Sequence, residues 1–218
     1  MKRKIVVFSI CTLLLSTILP ISASAGDPED PEFVDSLYDV VGFMPGMSLR
    51  RIDMVSAWFT EEESNPDTLY ISLKLMNLNA RARNLPILRF LSRLFTPLTK
   101  TFQGVYVVGF SINNYQYSAV AHEYPDLQVN LLMGKASREG AEVDNWDYCE
   151  GSFDVETNTI TWEIPKDYIR SPSASTIITN IGPHTHLRFY RTPGGETMDY
   201  AKDIPINART IKDYTIQY

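Results

Sequence analysis

Apolar and polar residues alternate along most of the chain after residue 48, which is the pattern of β-strands with one buried face. In DTLYISLKL (67–75) the apolar residues Leu69, Ile71, Leu73 and Leu75 fall at every second position. Similar patterns predict further strands at 52–59, 127–133, 176–181, 186–190 and 214–217. Short strands of this kind with few helical patterns indicate an antiparallel sheet protein.

Two hairpins are predicted from their turns. In VYVVGFSINNYQYSAVA (105–121), Asn113-Asn114 suits a two-residue type I′ turn because Asn tolerates positive φ. This turn fixes the pairing register and predicts one apolar face, on which Tyr106, Val108, Phe110 and Ile112 pair with Ala121, Ala119, Tyr117 and Tyr115. In GSFDVETNTITWEIP (151–165), a turn at Thr157-Asn158 predicts the pairs Val155 with Ile160 and Phe153 with Trp162.

These patterns together predict an all-β antiparallel β-sandwich, jelly-roll or immunoglobulin-like. One segment differs, because ARARNLPILRFLSRLFTPLTK (80–100) has apolar residues at helical spacing and predicts a short amphipathic helix near 85–96. Five basic residues and no acidic residue occur in this segment. We favour a helix that packs its apolar stripe on the sandwich. Peripheral attachment to an anionic membrane surface is the alternative.

The N-terminus has the pattern of a signal peptide. Three basic residues precede the apolar run IVVFSICTLLLSTILPI (5–21), and Ala23-Ser24-Ala25 matches the small residues that signal peptidase cleaves after. We therefore expect cleavage after Ala25 and a secreted protein, with an uncleaved anchor as the alternative. Residues 26–47 are predicted to be an acidic, Pro-rich linker and lead-in, and 48–218 a single domain.

Cleavage at that point changes both the charge and the cysteine content of the chain. It removes three of the 20 basic residues and none of the 26 acidic ones, which leaves a formal charge of −9. An acidic domain of this kind is a poor candidate for binding nucleic acid. Cys149 would be the only cysteine left, so no intramolecular disulfide is expected.

A resemblance to known β-sandwich domains follows from two stretches of sequence. In IDMVSAWFTEEESNPDTLYISLKLMNL (52–78), an Asp opens a strand that ends in Trp-Phe, and an acidic turn leads to the next strand. In GSFDVETNTITWEIPKDYI (151–169), a hairpin ends in a Pro. The chain thus resembles carbohydrate-binding-module-like and DOMON-like domains of small secreted prokaryotic proteins, especially archaeal ones, that have no assigned activity. The resemblance implies a jelly-roll-like binding module of about ten strands.

Candidate metal ligands occur in two chemical groups. His184 and His186 lie two residues apart in GPHTHLRFYR (182–191), so on a strand both project from one face and could hold Zn²⁺ with His122. Oxygen ligands suited to Ca²⁺ occur in two acidic segments that do not have EF-hand spacing. These segments supply Glu61, Glu63 and Asp67, and Asp144 and Asp147. Solvated acidic turns and a polar strand face are the simpler interpretations.

Exposed aromatic rings that could stack on sugars are the remaining candidates. Trp146 and Tyr148 lie in an acidic segment, and Trp58 precedes a Phe in a strand. No nucleophile elbow, zinc-protease motif or phosphate loop occurs, so an enzyme is the minority hypothesis. We expect a secreted or cell-surface binding module for polysaccharides or glycans. A metal-binding protein or metal-dependent hydrolase centred on the two histidines is the alternative, and the sequence does not determine the oligomeric state.

Overall fold

The computed structural model describes residues 27–42, 50, 52–78, 102–123, 129–136, 143–191, 196–204 and 208–218. The predicted signal peptide and the predicted helix near 85–96, with its basic residues, lie outside these ranges. Within them the chain forms strands and turns without a helix. All strand pairs are antiparallel and form two sheets, which confirms the predicted all-β sandwich.

The strands follow one another with short connections in most of the described chain. In order they are β1 (Phe33–Val34), β2 (Val41–Gly42), β3 (Met54–Glu62), β4 (Asn65–Leu75), β5 (Phe102–Ile112), β6 (Tyr115–Glu123), β7 (Val129–Ala136), β8 (Val143–Tyr148), β9 (Glu150–Asp154), β10 (Thr159–Pro165), β11 (Ile177–Arg191), β12 (Glu196–Asp203), β13 (Thr210–Ile211) and β14 (Tyr214–Thr215). One sheet has the order β13-β1-β3-β4-β10-β9. The other has the order β2-β12-β11-β5-β6-β7-β8, and β14 also pairs with β11.

Large apolar side chains from both sheets fill the space between them. Phe59 of β3 meets Phe110 of β5 edge to face, with ring centroids 5.5 Å apart. Tyr106 of β5 and Phe153 of β9 make a second contact across the sheets at 6.1 Å. Each fully buried side chain of this size contributes roughly 1.5–3 kcal/mol. The alternating strand pattern therefore directs one face of each sheet into a common core.

The first predicted hairpin is confirmed in turn and register. Asn113 and Asn114 have φ angles of 47° and 70°, as a type I′ turn requires. Ile112 pairs with Tyr115, and the ladder continues in that register along both strands. The side chains predicted to share the apolar face belong to the core or pack against it.

The register predicted for the second hairpin is wrong by two residues. Ile160 pairs with Phe153, and the turn spans 155–158. The cause is Asp154, whose Oδ1 accepts the Glu156 N–H at 2.8 Å and whose Oδ2 accepts the Thr157 hydroxyl at 2.8 Å. These bonds stabilise a wider, Asx-type turn. A shift of two preserves the strand faces, so Trp162 stays buried while Val155 is exposed.

Some strand boundaries also differ from the predicted ones. The strands predicted at 176–181 and 186–190 form one strand, β11, with a register irregularity between Thr179 and Gly182. Strands β8 and β12 were not predicted. The predicted lead-in contributes β1 and β2, so this part of the chain joins the two sheets.

Candidate ligand-binding face and acidic site

The outer face of the eight-stranded sheet collects several of the aromatic and imidazole side chains singled out in the sequence. Trp146 pairs with Gly134 and Tyr148 pairs with Leu132. Directly paired residues share one side of an antiparallel sheet, and Leu132 packs against a small cluster of valines that is separate from the main core. We call this side, which also carries Val105, Val107 and Val120, the outer face.

Two aromatic rings are exposed next to each other on this face. Trp146 is 46% exposed and Tyr148 is 78% exposed. Both belong to β8, which is the edge strand of its sheet. Residues two positions apart on a strand are about 6.6 Å apart, so the rings can form a continuous surface. By contrast, Trp58 is only 7% exposed and offers little ring surface to a ligand.

The histidines also lie on the outer face. His184 pairs with Val107 and His186 with Val105, and their rings meet edge to face with centroids 5.2 Å apart. His122 pairs with Val105 from the other side, two strands from His186. The spacing of neighbouring strands places the His122 and His186 backbones about 10 Å apart. The ring nitrogens of the three histidines do not come within the 4.8 Å of one another that would let them hold one ion.

The electrostatics of this histidine group are mixed. Burial lowers the pKa of His184, and His186 and Arg188 lower it further. Burial and Arg188 also lower the pKa of His122. A neutral imidazole is the form that binds metals. However, the positive charge of Arg188 opposes a cation at the same place.

The acidic residues predicted to bind calcium are not brought together. Glu61 is buried and forms an ion pair with Lys166, whereas Glu63 and Asp67 are exposed. The Glu61 carboxylate also accepts the Tyr214 hydroxyl at 2.9 Å and the Gln217 N–H at 2.6 Å. Its oxygens are therefore occupied by the protein.

Of the two aspartates predicted to bind calcium in the second acidic segment, the structure describes the side chain of one. Asp147 is exposed on β8, and the side chain of Asp144 lies outside the described part of the structure.

Cys149 follows β8 and is partly exposed. Burial raises the pKa of its thiol to about 11, so the thiol is protonated at neutral pH and is a poor soft-metal ligand.

Three other aspartates meet at the junction of the two sheets. One carboxylate oxygen from each of Asp35, Asp39 and Asp203 lies within 4.8 Å of the others. Asp35 follows β1, Asp39 comes shortly before β2, and Asp203 ends β12. Among the residues that the structure describes, this is the one group of three acidic, histidine or cysteine ligands close enough to hold a metal ion. A triad of this kind, with Asp35 and Asp203 buried and Asp39 partly buried, could hold an ion such as Ca²⁺.

Backbone donors hold one oxygen of two of these carboxylates. The Ser36 N–H donates to Asp35 Oδ1 at 2.8 Å, and the Met54 N–H donates to Asp203 Oδ2 at 2.8 Å. The other oxygens, Asp35 Oδ2 and Asp203 Oδ1, are buried and have no hydrogen-bond partner within the described residues. Asp35 is 2% exposed and Asp203 is 1% exposed. Buried polar atoms without partners are rare because their desolvation is not compensated.

Burial and mutual repulsion strongly affect these acids. Burial, together with repulsion from the carboxylates of Asp35, Asp39 and Asp53, raises the pKa of Asp203 to about 7, although the hydrogen bond from the Met54 N–H lowers it. Burial raises the pKa of Asp35 to about 6, again with repulsion from its acidic neighbours. Burial also raises the pKa of Asp53, which Arg50 partly offsets. Within the described residues no basic side chain pairs with Asp35 or Asp203, so a bound proton or cation would reduce the cost of burying these carboxylates.

Sequence reasoning missed this acidic site because Asp203 is distant in sequence from Asp35 and Asp39. Met54 and Asp203, which are hydrogen-bonded, lie 149 residues apart. The local signal was weak, since each aspartate is only a single acid beside an apolar strand. Such an acid is normally a solvated strand end.

Comparisons with models of protein families, with curated proteins and with solved structures found no match for this chain. In the residues that the structure describes, no helix is both long and apolar enough to span a bilayer. The structure itself defines the class of the fold, a β-sandwich of two antiparallel sheets.

Proposed function

We propose that this chain is an exported β-sandwich binding module and that its ligands are carbohydrates, bound on the outer face at Trp146 and Tyr148. The observation that carries the proposal is the pair of adjacent exposed rings on the edge strand β8. The N-terminal signal-peptide pattern supports export. Export would bring this face into contact with polysaccharides or cell-surface glycans.

Exposed aromatic pairs suit sugars for a physical reason. The C–H groups of a pyranose face are apolar and pack on an aromatic ring, while the hydroxyl groups need polar partners beside it. Asn130 lies two positions from Leu132 on β7 and pairs with His122. Asn130 is therefore a diagonal neighbour of Tyr148 on the outer face, and His122 lies one strand further away on the same face. The amide and the imidazole are both suited to hydrogen-bond sugar hydroxyl groups.

Intrinsic fluorescence offers a direct test. The chain has three tryptophans, and Trp58 and Trp162 are buried while Trp146 is exposed. A sugar that covers Trp146 is therefore expected to shift its emission to shorter wavelength in a saturable way. We would screen soluble oligosaccharides and polysaccharides with this signal and measure dissociation constants by calorimetry.

Matched variants separate recognition from folding. Trp146→Ala and Tyr148→Ala are each expected to weaken binding by about two- to tenfold, because a stacking contact of an aromatic ring contributes about 0.5–1.5 kcal/mol. Tyr218→Ala removes an aromatic ring that is 47% exposed at the C-terminus and should leave affinity unchanged. Equal binding by all three variants, with unchanged melting temperatures, would refute the proposed site.

A metal centre at His184 and His186 is the second candidate, and the contact between their rings is the observation that favours it. The two imidazoles would supply half of a zinc site, and the remaining ligands would have to come from elsewhere. Elemental analysis of protein purified without a histidine tag tests this idea. Stoichiometric zinc that is lost in His184→Ala and His186→Ala would favour a metal-dependent function over a glycan-binding one.

A further inference from the structure

We propose that Asp35, Asp39 and Asp203 form a calcium-binding site that links the N-terminal strands to the end of β12. This inference is independent of the proposed carbohydrate function, because the site lies between the sheets and uses none of the residues of the outer face. Two observations carry it. The three carboxylates converge within 4.8 Å, and two of them each retain a buried oxygen that no described group donates to.

The donor set selects the class of ion. All three side chains offer carboxylate oxygens, which are ligands of hard cations such as Ca²⁺, Mg²⁺ and Mn²⁺. The site is also rich in negative charge, because Asp53 lies beside it and binds the Tyr38 N–H with both oxygens, at 3.2 and 3.0 Å. A divalent cation would neutralise this charge where, among the described residues, Asp35 and Asp203 have no basic partner.

The number and kind of ligands favour calcium over magnesium. Magnesium dehydrates reluctantly, so it usually keeps several waters and takes only one or two carboxylates. Calcium accepts roughly six to eight oxygen ligands in a flexible geometry. Three carboxylates whose ligand atoms lie within 4.8 Å of one another, two of them from buried residues, therefore fit calcium better.

The backbone contacts explain what such an ion would stabilise. Asp35 follows β1 in one sheet, and its own N–H donates to Val55 O at 3.0 Å. Asp203 ends β12 in the other sheet, and it receives the Met54 N–H of β3. An ion bound by both would connect the two sheets at the point where the chain crosses from β1 to β2. Without it, repulsion between the carboxylates opposes the closure of this end of the sandwich.

The test measures the binding of calcium in the absence of any glycan. Purified protein is treated with a chelator, exchanged into metal-free buffer at pH 7.5 and titrated with CaCl₂ by calorimetry and by thermal melting. We expect one ion per chain, and a rise in melting temperature of about 5–10 °C at a calcium concentration 100 times the dissociation constant. Magnesium at the same concentration should give a clearly smaller shift.

Substitutions locate the site and keep the test interpretable. Asp35→Asn and Asp203→Asn each retain the shape of the side chain and remove a charge, so both should fold in metal-free buffer and lose the calcium shift. Glu63→Gln, in the turn after β3, and Asp67→Asn, at the exposed start of β4, are matched controls that should retain it. Should either aspartate variant fail to fold, the calorimetric stoichiometry of the unmodified protein decides the question.

Three outcomes would overturn the inference. The first is that calcium gives the unmodified protein neither a heat of binding nor a rise in melting temperature. The second is that a Glu63 or Asp67 control loses the rise in melting temperature while Asp203→Asn keeps it, and the third is that magnesium stabilises the protein as much as calcium does. Calcium binding without glycan binding would support this site and refute only the proposed function. Glycan binding that a chelator does not change would show that the glycan site and the calcium site act independently.

Discussion

A buried ion pair near the C-terminus should be one of the most sensitive points in the fold. Lys166 and Glu61 are paired, and both side chains are almost completely buried. Lys166 Nζ also donates to Tyr218 O at 2.5 Å, and Glu61 receives donors from Tyr214 and Gln217. The pair therefore ties the last residues of the chain to β3 and to the turn after β10.

Removing the lysine should cost far more than removing the pair. Lys166→Met leaves the Glu61 carboxylate buried without its counter-ion, and breaking a buried pair in this way typically costs about 3–5 kcal/mol. The Tyr214 hydroxyl and the Gln217 N–H still donate to that carboxylate, so we expect a value near the lower end, about 3 kcal/mol. Burial and the Glu61 carboxylate raise the pKa of Tyr214, which keeps its hydroxyl protonated as a donor.

The double variant Glu61→Gln/Lys166→Met is the matched control. A glutamine oxygen can still accept both remaining hydrogen bonds, and no buried charge is left. We therefore expect the double variant to lose only about 1–2 kcal/mol, less than Lys166→Met alone. Free energies of unfolding come from urea denaturation at pH 7, followed by tryptophan fluorescence and circular dichroism.

The free energies of unfolding of Lys166→Met and of the double variant show whether the buried, unpaired charge causes the loss. A loss below about 1 kcal/mol in Lys166→Met would mean that the pair is solvated and contributes as a surface ion pair does. A double variant that is less stable than Lys166→Met would mean that the Glu61 carboxylate still stabilises the fold without its counter-ion, through the hydrogen bonds it accepts from Tyr214 and Gln217. Either result would refute the reasoning from burial.

Three further predictions concern single positions. Burial raises the pKa of Glu32 from 4.5 to about 7, so between these pH values the folded state keeps a proton that the unfolded state loses, and the free energy of unfolding should fall as pH rises. Glu32→Gln should therefore match the stability of the unmodified protein at pH 4 and exceed it by about 1–3 kcal/mol at pH 8, and parallel profiles of stability against pH would contradict this. Gly151→Ala should cost about 3 kcal/mol in urea unfolding, because φ is 149° and a Cβ would lie 2.0 Å from Thr161 O. Gly182→Ala should change stability by less than about 1 kcal/mol, because its Cβ would lie 4.0 Å from Asn180 O, which is ordinary van der Waals contact. Asn114→Ala should cost about 1 kcal/mol and Asn114→Gly nothing, because φ is 70° there, and equal melting temperatures for both variants would argue against a strained turn.

Local chemistry let the sequence predict the faces of the strands and one complete hairpin. The period of two decides which side chains are buried, and Asn113-Asn114 provides the positive φ angles that its turn requires. The register of the second hairpin was mispredicted because Asp154 binds its own turn with both oxygens. Several turn lengths satisfy the same alternation, and only hydrogen bonding chooses between them.

The candidate sites depended to different degrees on tertiary structure. Trp146 and Tyr148 could be singled out from the sequence because two aromatic residues at alternate positions beside acidic ones form a local pattern. That His122 and His186 lie on one face but two strands apart required the order of the strands in the sheet.

Hydrophobic alternation along the sequence determined the class of the fold, since it requires each sheet to cover its apolar face. It does not determine which strands become neighbours, because many strand orders bury the same faces. Strand order places Asp203 at the end of β12 beside Met54, which opens β3, and brings Asp35 and Asp39 to the same point from the chain between β1 and β2. The acidic site was therefore decided by tertiary structure alone, since buried carboxylates can be recognised as a group only after distant segments have been packed together.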